Sequence, residues 1–529
     1  FDILSAQSSI YVSFCAPYVS TNGGLVTENW FDLNASRYTA SSTLQRMELL
    51  KTGYMGTLSL GWDNYLFLEL TGRQERSSTL KDQSFFYPSA NLSFLFSNAF
   101  RMPAWWNHGK LRLSYGVVGN APETYAANII YEQGSDNGFT WNYVPSSWGN
   151  ANIRPEKKYE YEIGFESKFL NNRLGFDVSY YNNRVKDQIL STPQPSTSGV
   201  KYVLMNVGEV ANEGWDISVS ATPVLTKNFR WDLTANYGIY RNKVVKLADG
   251  VPYLEISNIG GGGAKIQAVE GRPMGDIYVQ VPQMNENGEY LVSDKGLYMN
   301  QTELQRVGNI NPDGVGGLFS SFSYKNIFLD FSIDFRIGGD VINEMYQYST
   351  ASGLTPESLQ FRDTEHGGLS YYYPGNNNAS GVPVQVDPSL GAGPNGETVY
   401  HDGVILPGVV ASTGEKNTRI IPAGYYYNQT YNWGTQPEQL TYRHSVFDNS
   451  YVKLRELTIG YQFPEKLISK LGMTRLSVSV FGRNLFYFYK ALKNYDAESS
   501  VGTSWASQAV VGGSTTATRN FGVSLRASF

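Results

Sequence analysis

The sequence predicts an all-β protein, a transmembrane antiparallel β-barrel with long extracellular loops. Three observations predict it. Apolar and polar residues alternate by twos over many separate stretches, the mark of strands with two unlike faces. Aromatic residues make up 14% and charged residues 17%, with 53 glycines. A soluble domain usually carries roughly 25% charge, and this mix suits strands and turns better than helices. The connections between the alternating stretches are short and long by turns, as in outer-membrane barrels.

The elements follow in chain order. Residues 1–43 show no clear pattern and are left as loop or strand of the barrel, which is read over 44–529. Strands are expected near 44–62, 64–77 and 83–98. Leu111, Leu113 and Tyr115 oppose Lys110 and Arg112. Tyr159, Tyr161, Ile163 and Phe165 oppose Glu160, Glu162 and Glu166; Leu174, Phe176, Val178 and Tyr180 oppose Asp177 and Ser179. Trp215, Ile217, Val219 and Ala221 oppose Asp216, Ser218 and Ser220. Phe229, Trp231, Leu233, Ala235 and Tyr237 oppose Arg230, Asp232, Thr234 and Asn236. A strand near 315–325 precedes IFLDFSIDFRI (327–337), and others lie near 451–463 and around Leu476, Val478 and Val480. The chain closes on NFGVSLRASF (520–529), where Phe521, Val523, Leu525, Ala527 and Phe529 share one face and Arg526 lies on the other. The total is about 13 strands, each near the ~9–11 residues that cross a bilayer at a tilt. One face then meets lipid and the other a wet lumen, with the terminal aromatic at the interface.

Short connections include Trp62-Asp63-Asn64, FLNNR (169–173), TPVLTKN (222–228), YKN (324–326) and PEKLISKLGMT (464–474), the last with room for one short helix. Long ones span about 119–155, 190–210, 247–314, 339–450 and 487–516. Loops of that length usually carry function.

Other classes are disfavoured. No stretch approaches the ~18–20 apolar residues of a membrane helix, and mean hydropathy is −0.32. Both exclude a helical membrane protein and leave a barrel open. A net charge of −5 gives nucleic acid no basic surface to hold. The single cysteine, Cys15, permits no internal disulfide or cysteine-built zinc site. The four histidines are scattered and form no HExxH, so no metal, cofactor or catalytic residue is expected. A soluble β-sandwich is the bland alternative; strand length, sorted loops and aromatic flanks disfavour it. The chain starts at Phe1, without a methionine, and its N-terminus is expected to be processed or missing.

Four stretches carry a resemblance. They are KLRLSYGVVGNAPE (110–123), RPEKKYEYEIGFESKFLNNRLGFDVSYYNNRVKDQIL (154–190), GNINPDGVGGLFSSFSYKNIFLDFSIDFRIGGDV (308–341) and DNSYVKLRELTIGYQFPEKLISKLGMTRLSVSVFGRNLF (448–486). As a set they resemble the SusC-like (SusC/RagA-type) TonB-dependent outer-membrane transporters. The resemblance implies a barrel of about 22 strands filled by an N-terminal plug, and a preceding segment that contacts TonB. No plug is found in this sequence, so the chain is expected to be the C-terminal part of such a barrel. It further implies the outer membrane of a Gram-negative bacterium, a SusD-like surface lipoprotein as cap, and the TonB complex acting through the missing N-terminal part. The expected activity is nutrient import of oligosaccharides, with oligopeptides by the same mechanism as the alternative. A passive porin, a surface adhesin or an outer-membrane enzyme are the rivals from other classes.

Candidate substrate contacts lie in the loops. The 339–450 loop holds Tyr371, Tyr372 and Tyr373, then Tyr425, Tyr426, Tyr427, Tyr431 and Trp433, beside Asn376, Asn377, Asn378 and Asn428. Flat rings stack on apolar sugar faces while amides bond hydroxyls; the same rings suit peptides, a partner protein, or packing of the loop itself. The 119–155 loop adds Tyr125, Tyr131, Trp141, Tyr143 and Trp148. Asp177, Asp216, Asp232, Glu160, Glu162, Asp330, Asp334 and Arg336 are expected to line a solvated inner wall. The run NIGGGGAK (258–265) lacks the phosphate-loop order and reads as a flexible connector. Asn287-Gly288 reads as a hairpin turn. DNSYVKLREL (448–457) and FGRNLF (481–486) are expected to fix the register of the last strands.

Overall fold

Alternating stretches leave every second side chain on one face, and neighbouring stretches satisfy each other's backbone groups by pairing. The computed structural model, which describes residues 2–81, 84–136, 139–432, 438, 441–513 and 516–529, shows the result. A fourteen-stranded sheet has its strands hydrogen-bonded in chain order. They are β1 (Asp2–Leu25), β2 (Ser36–Trp62), β3 (Leu66–Ser77), β4 (Ser84–Phe94), β5 (Trp106–Asn120), β6 (Glu156–Phe169) and β7 (Leu174–Lys186). Then come β8 (Glu209–Leu225), β9 (Phe229–Lys246), β10 (Gly314–Tyr324), β11 (Ile327–Ile337), β12 (Tyr451–Gln462), β13 (Arg475–Lys490) and β14 (Asn520–Ser528).

The chain divides into two units, one of residues 1–219 and 242–252, the other of 220–241 and 253–529. In the first, β1 to β7 pair antiparallel. Its registers place Leu60, Leu68, Leu92, Leu113, Ile163 and Tyr180 in one apolar row across six strands. In the second, β9 to β14 pair antiparallel. There Trp231, Phe322, Leu329, Ile459, Val480 and Val523 form the matching row. Trp231 stacks on Phe322 at 5.4 Å, and its indole N–H donates to Ser320 Oγ at 2.9 Å. The one polar atom of that ring is thereby satisfied on an apolar face.

The sequence reading found about 13 strands; the sheet has fourteen, because Asp2–Leu25 is also a strand. Its alternation is blurred by Ser5, Gln7, Ser8 and Ser9 and by Pro17, so period two is not visible there. Within each unit the long connections follow alternate strands and therefore leave one end of the sheet. Short turns close the other end. Asp63 and Asn64 both take positive φ, 45° and 55°, as a tight hairpin turn needs. The β12–β13 connection holds the short helix Glu465–Ile468.

The long loops of the second unit are folded. Tyr253–Ile259, Ala264–Val269, Asp276–Val279 and Gln305–Asn309 make a four-stranded sheet. Ile266 and Ile277 from it pack with Ile342, Tyr442 and Val510 in one buried cluster, so three loops share a core. The glycine run is not a slack connector. Gly260–Gly262 turns directly between two strands of that sheet, and a Cβ on Gly260 would lie 1.7 Å from the Tyr442 hydroxyl. Only glycine permits this approach, at φ +59°.

Candidate functional site

Tyrosine is a modest helix and a good strand residue. The two tyrosine triplets of the 339–450 loop accordingly take different structures, set by what covers them. Leu369–Tyr372 is a strand paired with Val384–Gln385 and with Val399–Val404. Tyr371 is 1% exposed. Its hydroxyl donates to Asp402 Oδ1 at 3.1 Å, and its ring stacks on Tyr400 at 5.5 Å with Tyr373 edge-on at 5.6 Å. Burial, with Asp402 adding, pushes the Tyr371 hydroxyl up from its ordinary range, so it stays a donor. Tyr372 and Tyr373 are half-buried.

The second triplet lies on the helix Ala423–Tyr431. Tyr427 and Tyr431 are buried with Ala423, and Tyr346, Phe361 and Tyr426 pack against them. The Tyr427 hydroxyl donates to the Glu357 carbonyl at 2.8 Å and is pushed up to about 12 by burial. Tyr425 and Tyr426 also cover the cluster of Leu297, Val404, Leu406 and Ile421. Trp433 lies outside the described residues. The loop therefore brings Tyr371 and Tyr373 together and places Tyr425 to Tyr427 in the loop core. Tyr400 and Asp402 complete the first group. They stand two apart in VYHDGV (399–404), a period-two signal that sequence reasoning missed.

In the first unit, Trp141 sits on the hairpin Glu132–Asp136 and Phe139–Tyr143 and is 48% exposed. Trp148 is half-buried, edge-on to Tyr131 at 6.0 Å.

The polar face of the strands is paired. Arg112 holds Asp177 at 2.6 Å, Asp330 accepts from Ser321 at 2.6 Å, and Arg230 holds Asp232 at 2.6 Å. Asp334 meets Arg455 at 2.6 Å, and Arg455 also grips Glu498 of the last long loop at 2.5 Å. Asp496 of the same loop accepts from Tyr487 at 2.5 Å. Among the described residues no group of three or more His, Cys, Asp or Glu could hold a metal ion.

Comparison with known proteins places this arrangement. The family described as "TonB dependent receptor-like, beta-barrel" matches residues 13–277. TonB-dependent receptor P3 of Formosa agariphila is 22% identical over 91% of this chain and 44% of its own length. TonB-dependent receptor SusC of Bacteroides thetaiotaomicron is 27% identical over 42% of this chain and 24% of its own. The solved RagAB peptide transporter superposes with a TM-score of 0.71 at 18% identity, over 100% of this chain and 53% of that one. The chain spans about half the length of receptor P3 and of the RagAB transporter chain. The sequential antiparallel sheet, the sorted loops and these matches agree: the chain belongs to the TonB-dependent receptor-like β-barrel family of the outer membrane and resembles its SusC- and RagA-type members.

Proposed function

We propose that the protein containing this chain is a SusC-like importer of oligosaccharides, working with a SusD-like surface lipoprotein and the TonB complex. The observation that carries the reading is the folded loop layer. Three long loops of the second unit share a buried core, so they form a fixed surface rather than loose tethers. Half-buried Tyr372 and Tyr373 and the Tyr400 ring, beside Asp402, offer flat faces next to a hydrogen-bonding carboxylate. Trp141 offers another such face. Such pairs suit sugar rings, whose faces are apolar and whose rims carry hydroxyls. Binding alone cannot drive accumulation, because a ligand only shifts an equilibrium by its differential affinity. The energy must enter through a partner, and TonB is that partner in this reading. No bond of the substrate is made or broken.

A second reading is oligopeptide import, favoured by the description of RagAB as a peptide transporter. A deletion strain fed single defined oligosaccharides or peptides separates the two. Lost growth on a glycan with peptide growth intact supports the first reading; the reverse pattern replaces it with the second.

A further inference from the structure

We propose that the cleft beside Tyr125 in the first unit is a subsite for one neutral, polyhydroxylated sugar unit. The proposal rests on the oligosaccharide reading above and names residues that reading does not use. The cleft has a volume of about 340 Å³ and is lined by Glu48, Thr79, Lys81, Thr124, Tyr125 and Asn128, among others. That is room for a sugar ring at the low end of small-molecule sites.

Tyr125 is the anchor. Its φ is +66°, a conformation that costs free energy for a bulky residue and is held only where the surroundings impose it. They do so here. The Tyr125 hydroxyl accepts from the Glu48 backbone N–H at 3.0 Å. The Asn128 N–H closes a turn onto the Tyr125 carbonyl at 2.9 Å. The turn lies so close to Gly149 that a Cβ there would meet the Asn128 carbonyl oxygen at 2.1 Å. Behind it, Ala127 packs on the buried cluster of Leu80, Phe85 and Ile153. Fixed at both ends, the ring nevertheless remains 48% exposed. A strained, pre-organised and exposed ring loses little freedom when a flat ligand face settles on it.

The rest of the lining fits hydroxyls. Glu48 and Asn128 accept, Asn128 and Lys81 donate, and Thr124 does both. Thr79 is buried and shares a hydrogen bond of 2.8 Å with Ser77, which sets its hydroxyl at the cleft wall. Glu48 and Lys81 carry opposite charges, and Glu48 is also held by Arg46. The lining itself carries one charge of each sign, Glu48 and Lys81, with Arg46 outside it, which favours a neutral ligand.

The test uses the complete transporter with its lipoprotein partner, purified from outer membranes. The probe is the labelled neutral oligosaccharide on which the deletion strain fails to grow. Tyr125→Gly removes the ring and relieves the backbone strain, so thermal stability should hold or rise while affinity falls about tenfold. A purely structural tyrosine would show the opposite: lower stability with affinity unchanged. Glu48→Gln keeps the backbone donor to Tyr125 and should weaken binding several-fold. Wild-type affinity in both variants overturns the subsite, as does weakened binding of an oligopeptide with the glycan unaffected. A deletion strain that grows normally on every glycan sinks the import reading and the subsite together. A glycan-dependent strain fully complemented by Tyr125→Gly sinks the subsite alone.

Discussion

Arg455 donates from Nη1 to the side-chain oxygen of Asn484 at 2.8 Å, across the strands β12 and β13. The two residues come from DNSYVKLREL and FGRNLF, the stretches expected to fix the register of the last strands, and they meet at a register shift. Leu454 faces Phe486 while Glu456 faces Arg483, so Arg455 alone opposes Asn484 and Leu485. This is a β-bulge, and Asn484 takes the left-handed conformation it needs, φ +54°. The bulge aims Arg455 at both Asp334 and Glu498. One arginine thus ties the sheet to the last long loop.

Replacing Arg455 with Met should cost about 1–2 kcal/mol, since two carboxylates lose a partner in a partly solvated setting. Asn484→Gly should be nearly neutral, and Asn484→Val should cost more, because a β-branched residue resists positive φ. The check is the temperature at which the folded barrel band converts to the unfolded band on a denaturing gel. Equal shifts for Gly and Val would contradict the bulge account.

Tyr371→Phe should loosen the 339–450 loop by about 1 kcal/mol, the worth of one buried hydrogen bond, leaving Asp402 short of a donor. Tyr371→Ala should cost about 3–5 kcal/mol by opening a cavity under Tyr400 and Tyr373. Limited proteolysis of that loop reports both changes. Amide exchange in β10 and β11 should stay unchanged.

Trp141→Ala should leave stability within about 0.5 kcal/mol, because the side chain is exposed. If the ring touches substrate, uptake affinity should fall about tenfold. Tyr427→Ala should reduce uptake only together with loss of loop structure, seen by the same proteolysis. The pair separates contact from support.

His444 gives a pH dependence. Its ring lies tilted against Tyr431 with centroids 5.5 Å apart, and its Nε2 is buried without a hydrogen-bond partner. Burial, with Arg443 adding, holds its pKa below the ordinary imidazole value. The unfolded chain therefore binds the proton more readily. Its contribution to loop stability is present above about pH 6.5 and is lost as the pH falls toward the folded value. Burial pushes Glu344 the other way, raising its carboxyl pKa, so that stabilisation is present at low pH and lost on raising it. The difference between wild type and His444→Gln isolates the imidazole. Loop proteolysis of the wild type should rise below about pH 6.5 relative to that variant. Parallel curves would contradict the assignment.

The sheet was legible because period two survives in nearly every strand. From β2 to β14 each strand overlaps the stretch assigned to it, and the errors lie at the ends: β4 stops at Phe94, short of the 83–98 expected, while β2 starts earlier and β5 and β13 run on past their apolar alternation. Asp2–Leu25 was not legible, since small polar residues occupy both faces. The loop interiors were not legible either. AGYYYNQTY has no side-chain N-cap and is mostly tyrosine, glycine, asparagine and threonine, all weak helix formers; it is a helix because Tyr427 and Tyr431 bury against Tyr346 and Phe361. Composition marked the tyrosine triplets, but only packing shows that Tyr371 and Tyr427 are interior and Trp141 is open.

The most direct test of the central claim is energised uptake. Cells carrying the intact gene, its deletion, or a TonB deletion are given a labelled oligosaccharide, with and without a protonophore. The account predicts accumulation that requires the gene, TonB and the proton gradient together. Uptake that survives TonB loss or the protonophore, at a rate linear in outside concentration, would make the protein a passive pore and contradict it.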